Sequence, residues 1–176
     1  MGPHRLILAL AALAVLLAGS GCESSRVQPP AGVDSGVVRV VGDGDTLTLD
    51  DGRTIRLVQI DAPEAADECY GREATAALVR LAPRGTLVEL ERDPRLDDVD
   101  VYDRLLRYVL VDGENVNLEL VREGAAAPYF FRGDRGRYAD ELLDAARRAR
   151  AADRGFWGAC PGARLDPGRG SLTGRR

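Results

Sequence analysis

The sequence predicts an α+β domain that is mainly β: a five-stranded barrel of the OB type with about three packed helices. Two observations support this prediction. Short β-branched or alternating segments recur between residues 36 and 160, and the predicted elements follow the order three strands, a helix, two strands and two helices. Five strands with an inserted helix suit a small closed barrel, with the helices packed against it.

The strands are predicted from β-branched or alternating runs that turn residues separate. The first run is β-branched apart from one arginine, and the second alternates. Asp51 and Gly52 supply a two-residue turn signal between the second strand and the third. The predicted strands cover residues 37–41, 46–49, 54–60, 86–91 and 105–111.

The helices are predicted from helical spacing of apolar residues and from capping residues. The first spans about residues 71–81. The second starts with Asn117 as its N-cap and ends at Gly124. Val116 and Val121 are placed to pack as a hydrophobic staple across its start. The first and last helices are marked by Ala74, Ala77, Leu78 and Leu81, and by Tyr138, Leu142, Ala145 and Ala149, respectively.

Composition and charge narrow the class of protein. The 176 residues are 45% hydrophobic and 30% charged, which fits one domain with a core and excludes collagen-like, wholly disordered and polytopic membrane proteins. The formal net charge of -4 argues against a broad basic surface that coats duplex DNA. The chain contains no lysine, and His4 is its single histidine. Lysine chemistry and histidine acid–base catalysis in the domain are therefore excluded.

The N-terminal segment predicts export. Arg5 precedes an apolar run over residues 6–18, which is shorter than the roughly 20 residues that span a bilayer. Residues 1–21 are therefore interpreted as a signal peptide. Small residues then lead into Cys22, and this pattern resembles a bacterial lipoprotein signal in which the cysteine is acylated. Ordinary secretion, with cleavage near Ser20, is the alternative, so we expect either a lipoprotein anchored to the cell membrane or a secreted protein.

The remaining cysteines and the chain ends complete the predicted organisation. If Cys22 is lipidated, Cys69 and Cys160 remain, and a pair in an oxidising compartment is most simply a disulfide. Two unrelated buried thiols are the alternative. Residues 22–35 are polar with a Pro-Pro pair and predict a linker. Residues 161–176 are rich in glycine, proline and arginine and predict a disordered tail.

Three short segments carry the candidate chemistry: residues 41–46 (VGDGDT), 56–64 (RLVQIDAPE) and 100–109 (DVYDRLLRYV). Each segment alone is also typical of a turn, or of an arginine on a barrel strand. Together, and in this order, they resemble the staphylococcal nuclease family, whose pattern is Asp-Gly-Asp-Thr, then Arg followed by Asp-x-Pro-Glu, then Tyr-Gly-Arg. The similarity continues through residues 112–124 to Gly-Phe-Trp at 155–157.

The resemblance implies a barrel of the staphylococcal nuclease type over residues 36–160. It also implies calcium-dependent endonuclease activity on DNA and RNA that leaves 3′-phosphate and 5′-hydroxyl ends. Calcium takes about six to eight hard oxygen ligands, so water would complete its shell. Planar guanidinium groups can hold two phosphate oxygens at once. By position, the implied residues are Asp45, Asp61 and the Ala62 carbonyl for calcium, Arg56 and Arg104 for the phosphate, Glu64 for the attacking water and Tyr102 for nucleic acid.

Two features depart from the family pattern or from a typical nucleic-acid surface. Asp103 stands where the family has the glycine of Tyr-Gly-Arg, and it either pairs with an arginine or repels phosphate. The acidic residues within 97–100 also disfavour a polyanion, so we expect modest affinity that depends on local arginines and calcium. An aromatic cluster at residues 129–131 either stacks on bases or packs in the core.

The alternative to an enzyme is a catalytically silent barrel that binds nucleic acid or another ligand. The complete set of acidic and arginine positions favours the enzyme, because degenerate members of the family typically lose them. A structural envelope lipoprotein would explain the N-terminus but not this set. We expect a monomer whose partner is its nucleic-acid substrate, with membrane contact only through a lipidated Cys22.

Overall fold

Ten strands and four α-helices are present in residues 33–172, the part of the chain that this computed structural model describes. The strands are β1 (Ser35–Val41), β2 (Thr46–Leu49), β3 (Thr54–Leu57), β4 (Ile60–Asp61), β5 (Leu87–Glu91), β6 (Leu105–Val111), β7 (Glu114–Asn115), β8 (Ala127–Pro128), β9 (Arg164–Asp166) and β10 (Gly170–Leu172). The helices are α1 (Gly71–Leu81), α2 (Val116–Glu123), α3 (Ala139–Ala151) and α4 (Phe156–Ala159), with a 3₁₀ turn at Phe131–Gly133.

Five of these strands close into a mixed barrel. The strand order is β3-β2-β1-β5-β6, with antiparallel neighbours, and a parallel pairing of β3 with β6 joins the two ends. In that closing pair Ile55 lies opposite Leu105 and Leu57 opposite Arg107. The predicted five-stranded OB-type barrel with about three helices is therefore confirmed, because α1, α2 and α3 are the three longer helices.

The core fills the barrel and continues beneath the helices. Leu47 and Leu49 of β2 and Ile55 and Leu57 of β3 are fully buried, as the alternation of these short strands requires. Removing such side chains from water contributes about 1.5–3 kcal/mol each. Buried alanines and leucines at helical spacing on α1 and α3 extend this cluster. The observed bounds of α1 agree with the helix predicted over residues 71–81.

The third predicted strand, over residues 54–60, is wrong in its second half. Gln59 adopts a left-handed backbone conformation with φ 65°, and this ends β3 at Leu57. After the kink, β4 leaves the barrel and pairs antiparallel with β8, so that Asp61 lies opposite Ala127. The kink thus delivers Asp61 to a position beside the barrel rather than within its wall.

The predicted N-cap of α2 is also wrong. The cap is Asn115, whose side-chain oxygen accepts a hydrogen bond from the Leu118 amide at 3.0 Å. Asn117 is instead fully buried, where its amide accepts from Val109 N at 3.0 Å and donates to Val58 O at 2.9 Å. Asn117 therefore joins the end of β3 to β6 beneath the helix. The predicted end of α2 at Gly124 is observed.

A disulfide and a short β-hairpin order the chain after α4. Cys69 and Cys160 are joined by a disulfide, with their Cα atoms 5.9 Å apart. β9 and β10 then form a hairpin around an Asp-Pro-Gly turn, in which Asp166 Oδ1 accepts from Gly168 N at 3.1 Å. The predicted disordered tail is thus wrong for residues 161–172, because the turn sequence lets this polar segment pair with itself. Residues 173–176 lie outside the described part.

The predicted signal peptide (residues 1–21), the lipidation site Cys22 and most of the linker lie outside the described residues. Within residues 33–172, none of the helices combines the length and the apolar character needed to cross a bilayer.

Candidate active site

The first candidate residue, Asp45, is held in the buried turn between β1 and β2. Its side chain is among the few buried acidic groups of the described chain, with 6% of the residue exposed. Asp45 Oδ2 accepts a hydrogen bond from Ala62 N at 2.8 Å, and Thr46 Oγ1 donates to Oδ1 at 3.2 Å. Gly44 allows this turn to pack closely, since a Cβ there would lie 2.6 Å from that of Ala62. The Asp-Gly-Asp-Thr segment therefore docks directly onto the segment that follows β4.

Arg56 connects the two carboxylates that the sequence predicted as calcium ligands. Its Nη2 lies 3.0 Å from Asp45 Oδ2 and 2.8 Å from Asp61 Oδ1. Its Nη1 donates to the carbonyl oxygens of Leu57 and Ile60, both at 2.7 Å. The kink after β3 brings these acceptors together, so the same backbone feature orients Arg56 and delivers Asp61.

Two acidic groups of the site have raised pKa values, and burial is the largest cause in both. Burial raises the pKa of Asp45 to about 7, and the nearby carboxylates of Asp43 and Asp61 add to the effect, whereas Arg56 opposes it. Partial burial also raises the pKa of Glu64, with further contributions from Asp43 and Asp61. Burial therefore disfavours the ionised form of Asp45, and a cation bound beside it would favour that form.

Glu64 lies in the turn that connects β4 to α1. Its backbone amide donates to Glu68 Oε2 at 2.8 Å, and its carbonyl accepts from Glu68 N at 3.0 Å. Its side chain is exposed on the same side as the Asp43 and Asp61 carboxylates that influence its pKa. The charges of Asp61 and Arg56 act on the Glu64 carboxylate, so the structure brings this side chain near the two carboxylates that Arg56 joins.

Arg104 approaches the site from the turn before β6. Its Nε and Nη2 both lie 2.7 Å from Asp100 Oδ2, and its Nη1 lies 3.4 Å from Thr46 Oγ1. Thr46 also contacts Asp45, so a short chain of side chains connects Arg104 to the buried carboxylate. Burial raises the pKa of Asp100, but hydrogen bonds from Arg104 and Tyr102 outweigh this effect. The pKa is therefore lower than its ordinary value, and the ionised form is favoured.

The turn that carries Arg104 also explains Asp103. Asp100 Oδ1 accepts hydrogen bonds from Tyr102 N at 2.9 Å and Arg104 N at 3.0 Å, and Asp103 between them has a left-handed φ of 60°. A glycine is favoured at such a position, as in the family pattern, and aspartate is among the residues that tolerate it. Tyr102 is 75% exposed, with the Arg104 guanidinium 5.3 Å from its ring centre.

A cleft of about 420 Å³ lies beside this group of residues. Arg56, Arg104 and Tyr102 line it, and they face an aromatic wall that includes Tyr129 and the half-exposed Phe131. Phe130, in contrast, is buried. The aromatic cluster at residues 129–131 therefore divides between the cleft and the interior. Asp45 and Asp61 do not line the cleft, but both contact Arg56, which does.

Gln59 is a residue of this region that sequence reasoning missed. Its side chain is buried and bridges the loop over residues 129–136: Nε2 donates to Asp134 O at 2.9 Å, and Oε1 accepts from Gly136 N at 2.7 Å. Its backbone carbonyl accepts from Tyr129 N at 2.9 Å. Gln59 therefore ties the aromatic wall to the kink that positions Arg56. The signal in the sequence is a polar side chain within the otherwise apolar stretch over residues 57–60.

The donor set suits a hard divalent cation, although no preformed cage is present. Within residues 33–172, no group of three His, Cys, Asp or Glu side chains converges on one point. Two carboxylates do meet at Arg56, and one of them is buried with a raised pKa. Carboxylate and carbonyl oxygens are the ligands that calcium prefers. A cation at this point would favour the ionised form of the buried Asp45 carboxylate.

Comparison with known proteins decides the family. The family model described as "Staphylococcal nuclease homologue" matches residues 54–159, which include β3 to α4. The chain belongs to the staphylococcal nuclease family. As a family member it is a hydrolase of the nuclease class.

Named proteins that are similar to this chain come from two genera. The chain is 32% identical over 129 residues to a thermonuclease of Staphylococcus hyicus, a match that covers 69% of this chain and 73% of that protein. It is 34% identical over 123 residues to the SPbeta prophage-derived endonuclease YokF of Bacillus subtilis, covering 65% and 41%. It is 32% identical over 123 residues to the endonuclease YncB of Bacillus subtilis, covering 65% and 57%. Both Bacillus matches span less than two thirds of the relative.

Proposed function

We propose that this chain is an exported, calcium-dependent endonuclease that hydrolyses phosphodiester bonds in DNA and RNA and leaves 3′-phosphate ends. One observation carries the proposal: Arg56 bridges the carboxylates of Asp45 and Asp61 at the edge of a cleft that Arg104 also lines. Two guanidinium groups and a carboxylate pair are the groups that a phosphodiesterase needs. Family membership and the names of the thermonuclease and endonuclease relatives support the same activity.

Each residue has a role that its surroundings support. Asp45, Asp61 and the backbone carbonyl of Ala62 would hold calcium, which would supply positive charge beside the phosphate when bound. Arg56 and Arg104 would bind phosphate oxygens and stabilise the charge that develops in the transition state. Glu64 would accept the proton of the attacking water, a role that its raised pKa and exposed carboxylate suit. Tyr102 and the aromatic wall of the cleft would contact the nucleic acid.

An assay of the purified mature protein tests this function. Calcium should support cleavage of DNA and RNA, and a chelator should abolish it. Magnesium should support it poorly, because a smaller octahedral ion does not reproduce the flexible calcium shell. Mapping of the product ends should give 3′-phosphates. Glu64→Gln should retain binding and lose most of the cleavage, whereas Arg39→Gln, on an exposed position of β1, should cleave as the unaltered protein does.

The same assay separates the enzyme from a silent binding module. Calcium-dependent binding of an oligonucleotide without cleavage, by the unaltered protein, would favour the binding module. Cleavage that persists equally in chelator would contradict the roles of Asp45 and Asp61.

We further propose that the protein acts outside the cytoplasm as a monomer, either anchored through a lipid on Cys22 or secreted. The predicted signal peptide supports export, and the Cys69–Cys160 disulfide is typical of an oxidising compartment. Labelling with palmitate should mark the unaltered protein and not Cys22→Ser. Recovery of unlabelled protein in the medium would favour secretion, and light scattering of the mature protein would give its oligomeric state.

A further inference from the structure

The C-terminal hairpin, defined as residues 164–172, lies outside the region that matches the family, residues 54–159. Its two strands pack against the small sheet that β4 and β8 form beside the barrel. At the turn, Pro167 O accepts a hydrogen bond from Phe130 N at 2.6 Å. This segment therefore joins the edge of the site that carries Asp61 and the aromatic loop.

Gly170 brings the hairpin backbone directly against Asp61. Gly170 is buried, and a Cβ at this position would lie 2.3 Å from Asp61 Oδ2, 2.8 Å from its Cγ and 2.9 Å from its Cβ. Its φ of 77° is also a conformation that other residues rarely adopt. Two independent features thus require glycine here, and one of them is contact with a single acidic side chain.

Asp61 is consequently held on two sides. Its Oδ1 lies 2.8 Å from Arg56 Nη2, and its Oδ2 faces the backbone of Gly170. The hairpin occupies the space into which this carboxylate would otherwise turn. Cys160, in its disulfide with Cys69, fixes the chain shortly before the hairpin begins.

We propose that the C-terminal hairpin is a positioning element of the calcium site, in which Gly170 fixes the orientation of the Asp61 carboxylate. The proposal rests on the function proposed above, because it assigns Asp61 to calcium. The proposal thus gives the C-terminal hairpin, which lies outside the family match, a role in the site. Gly170 is a positioning residue, since it acts through Asp61 and not on the substrate.

The experiment compares three glycine-to-alanine variants of the mature chain. Gly170→Ala introduces both a backbone penalty and a clash with Asp61. Gly162→Ala has a comparable left-handed φ of 84° with no atom within 4 Å, and Gly168→Ala lies in the hairpin turn with its nearest contact at an ordinary 3.5 Å. Calcium affinity is measured by titration calorimetry, unfolding temperature in chelator, and hydrogen exchange at the amides of residues 60–62.

Gly170→Ala should weaken calcium binding by about tenfold or more, as loss of a group that orients a ligand typically does. Gly162→Ala and Gly168→Ala should bind calcium as the unaltered chain does. In chelator, the unfolding temperature of Gly170→Ala should fall further than that of Gly162→Ala because of the clash with Asp61, so calcium is titrated at a temperature at which all three variants are folded. Calcium binding by Gly170→Ala equal to that of Gly162→Ala would overturn the proposal.

Two further arms keep the proposal testable. If Gly170→Ala does not fold, Asp166→Ala, which removes the acceptor for Gly168 N in the hairpin turn, should weaken calcium binding in the same direction, and an affinity equal to that of the unaltered chain would overturn the proposal. If the unaltered chain binds no calcium, the proposed metal site is wrong, and hydrogen exchange decides the role of the hairpin alone. Faster exchange at residues 60–62 in Gly170→Ala than in Gly162→Ala would support positioning of Asp61, and equal exchange would overturn it.

Discussion

The Nη2 atom of Arg56 lies 3.0 Å from Oδ2 of Asp45, and both side chains are largely withdrawn from solvent. Such a pair gains electrostatic attraction, but each partner loses its hydration. The balance here leaves the pKa of Asp45 raised to about 7, because burial outweighs the attraction of Arg56. Burial therefore disfavours the ionised form of Asp45, and a cation bound beside it, as proposed for calcium, would favour that form.

The first prediction concerns the pH dependence of the calcium-free protein. The pKa of Asp45 is about 7 in the folded state against an ordinary value of 3.8, so the folded protein binds more protons between these two pH values. The stabilising contribution is complete below about pH 3.8 and is lost as the pH rises through about 7. Urea unfolding in chelator from pH 5 to 8 should show this loss in the unaltered chain and a flatter profile in Asp45→Asn.

Asp50→Asn, at an exposed acidic position directly after β2, serves as the control and should keep the profile of the unaltered chain. Identical pH profiles for Asp45→Asn and Asp50→Asn would show that Asp45 ionises normally. Asp45→Asn should also lose calcium binding with the barrel intact, since the residue lies at a turn and not inside the apolar core.

The second prediction concerns the geometry of Arg104. Its Nε and Nη2 are engaged by Asp100, and its Nη1 lies toward Thr46 and the cleft. Lysine offers a single charged nitrogen and cannot keep the bond to Asp100 while it contacts a phosphate. Arg104→Lys should therefore lower kcat by about a hundredfold or more. Turnover close to that of the control Arg39→Lys would exclude Arg104 from phosphate binding.

Local patterns predicted the barrel strands and α1, whereas the features that depend on distant partners were missed. In sequence, the run that contains Gln59 looks like a continuous strand. In the structure it is kinked, and hydrogen bonds from the Gln59 side chain to Asp134 O and from Gly136 N to that side chain hold it in place. Asn115 and Asn117 both satisfy the local pattern of an N-cap. The buried carbonyl of Val58, far away in sequence, selects Asn117 for the interior.

The residues of the candidate site could be predicted because they lie in three short segments whose residue types and order are visible in the sequence. Asp45, Arg56 and Asp61 are brought together as the family resemblance implied, although their roles stay predictions. The tail was mispredicted from composition, because the hairpin that it forms packs against the sheet of β4 and β8, which lies far from it in the sequence. Composition indicates whether a segment tends to be ordered on its own. It does not show the surface on which that segment packs.

The third prediction tests the departure from the family pattern at Asp103. Its left-handed φ of 60° costs about 1 kcal/mol for a residue with a side chain, so Asp103→Gly should stabilise the protein modestly. It should also lower KM by a few fold at low salt, because it removes a negative charge beside Arg104. Kinetics on an oligonucleotide at two salt concentrations measure this effect.

Asp112→Gly is a matched control for Asp103→Gly. Asp112 is exposed and also left-handed, with φ 51°, but it lies between β6 and β7 and does not line the cleft. It should gain similar stability without a change in KM. A fall in KM of equal size in both variants would attribute the effect to the backbone and not to charge beside Arg104.

The fourth prediction concerns the Cys69–Cys160 disulfide, which closes a loop of 91 residues in sequence. In the chain-entropy model, a loop of this length stabilises the folded state by about 4.6 kcal/mol. The double variant Cys69→Ser/Cys160→Ser should lose a comparable free energy of unfolding. A thiol assay on the denatured, unreduced mature protein should find neither cysteine reactive, and two reactive thiols would show that the bond does not form.

The fifth prediction concerns Gln59, which links the kink beside Arg56 to the loop over residues 129–136. Gln59→Leu keeps a side chain of similar size but leaves Gly136 N and Asp134 O without their partners. An unsatisfied buried group costs about 1–3 kcal/mol, so the loop should open more often. Because Tyr129 and Phe131 of this loop line the cleft, KM should rise several fold. The value of kcat should change little, since the side chain of Gln59 contacts none of the proposed catalytic groups.

Limited proteolysis provides an independent measurement of the same effect. Arg132 and Arg135 lie within the loop, and trypsin should cleave there faster in Gln59→Leu than in the unaltered chain. Gln59→Glu is a second test, because its carboxylate still accepts from Gly136 N but meets Asp134 O without a donor. A buried unpaired charge costs more than a lost neutral hydrogen bond, so its KM and its cleavage rate should rise at least as far as those of Gln59→Leu. An unchanged KM together with an unchanged cleavage rate in Gln59→Leu would show that the aromatic wall keeps its position without this side chain.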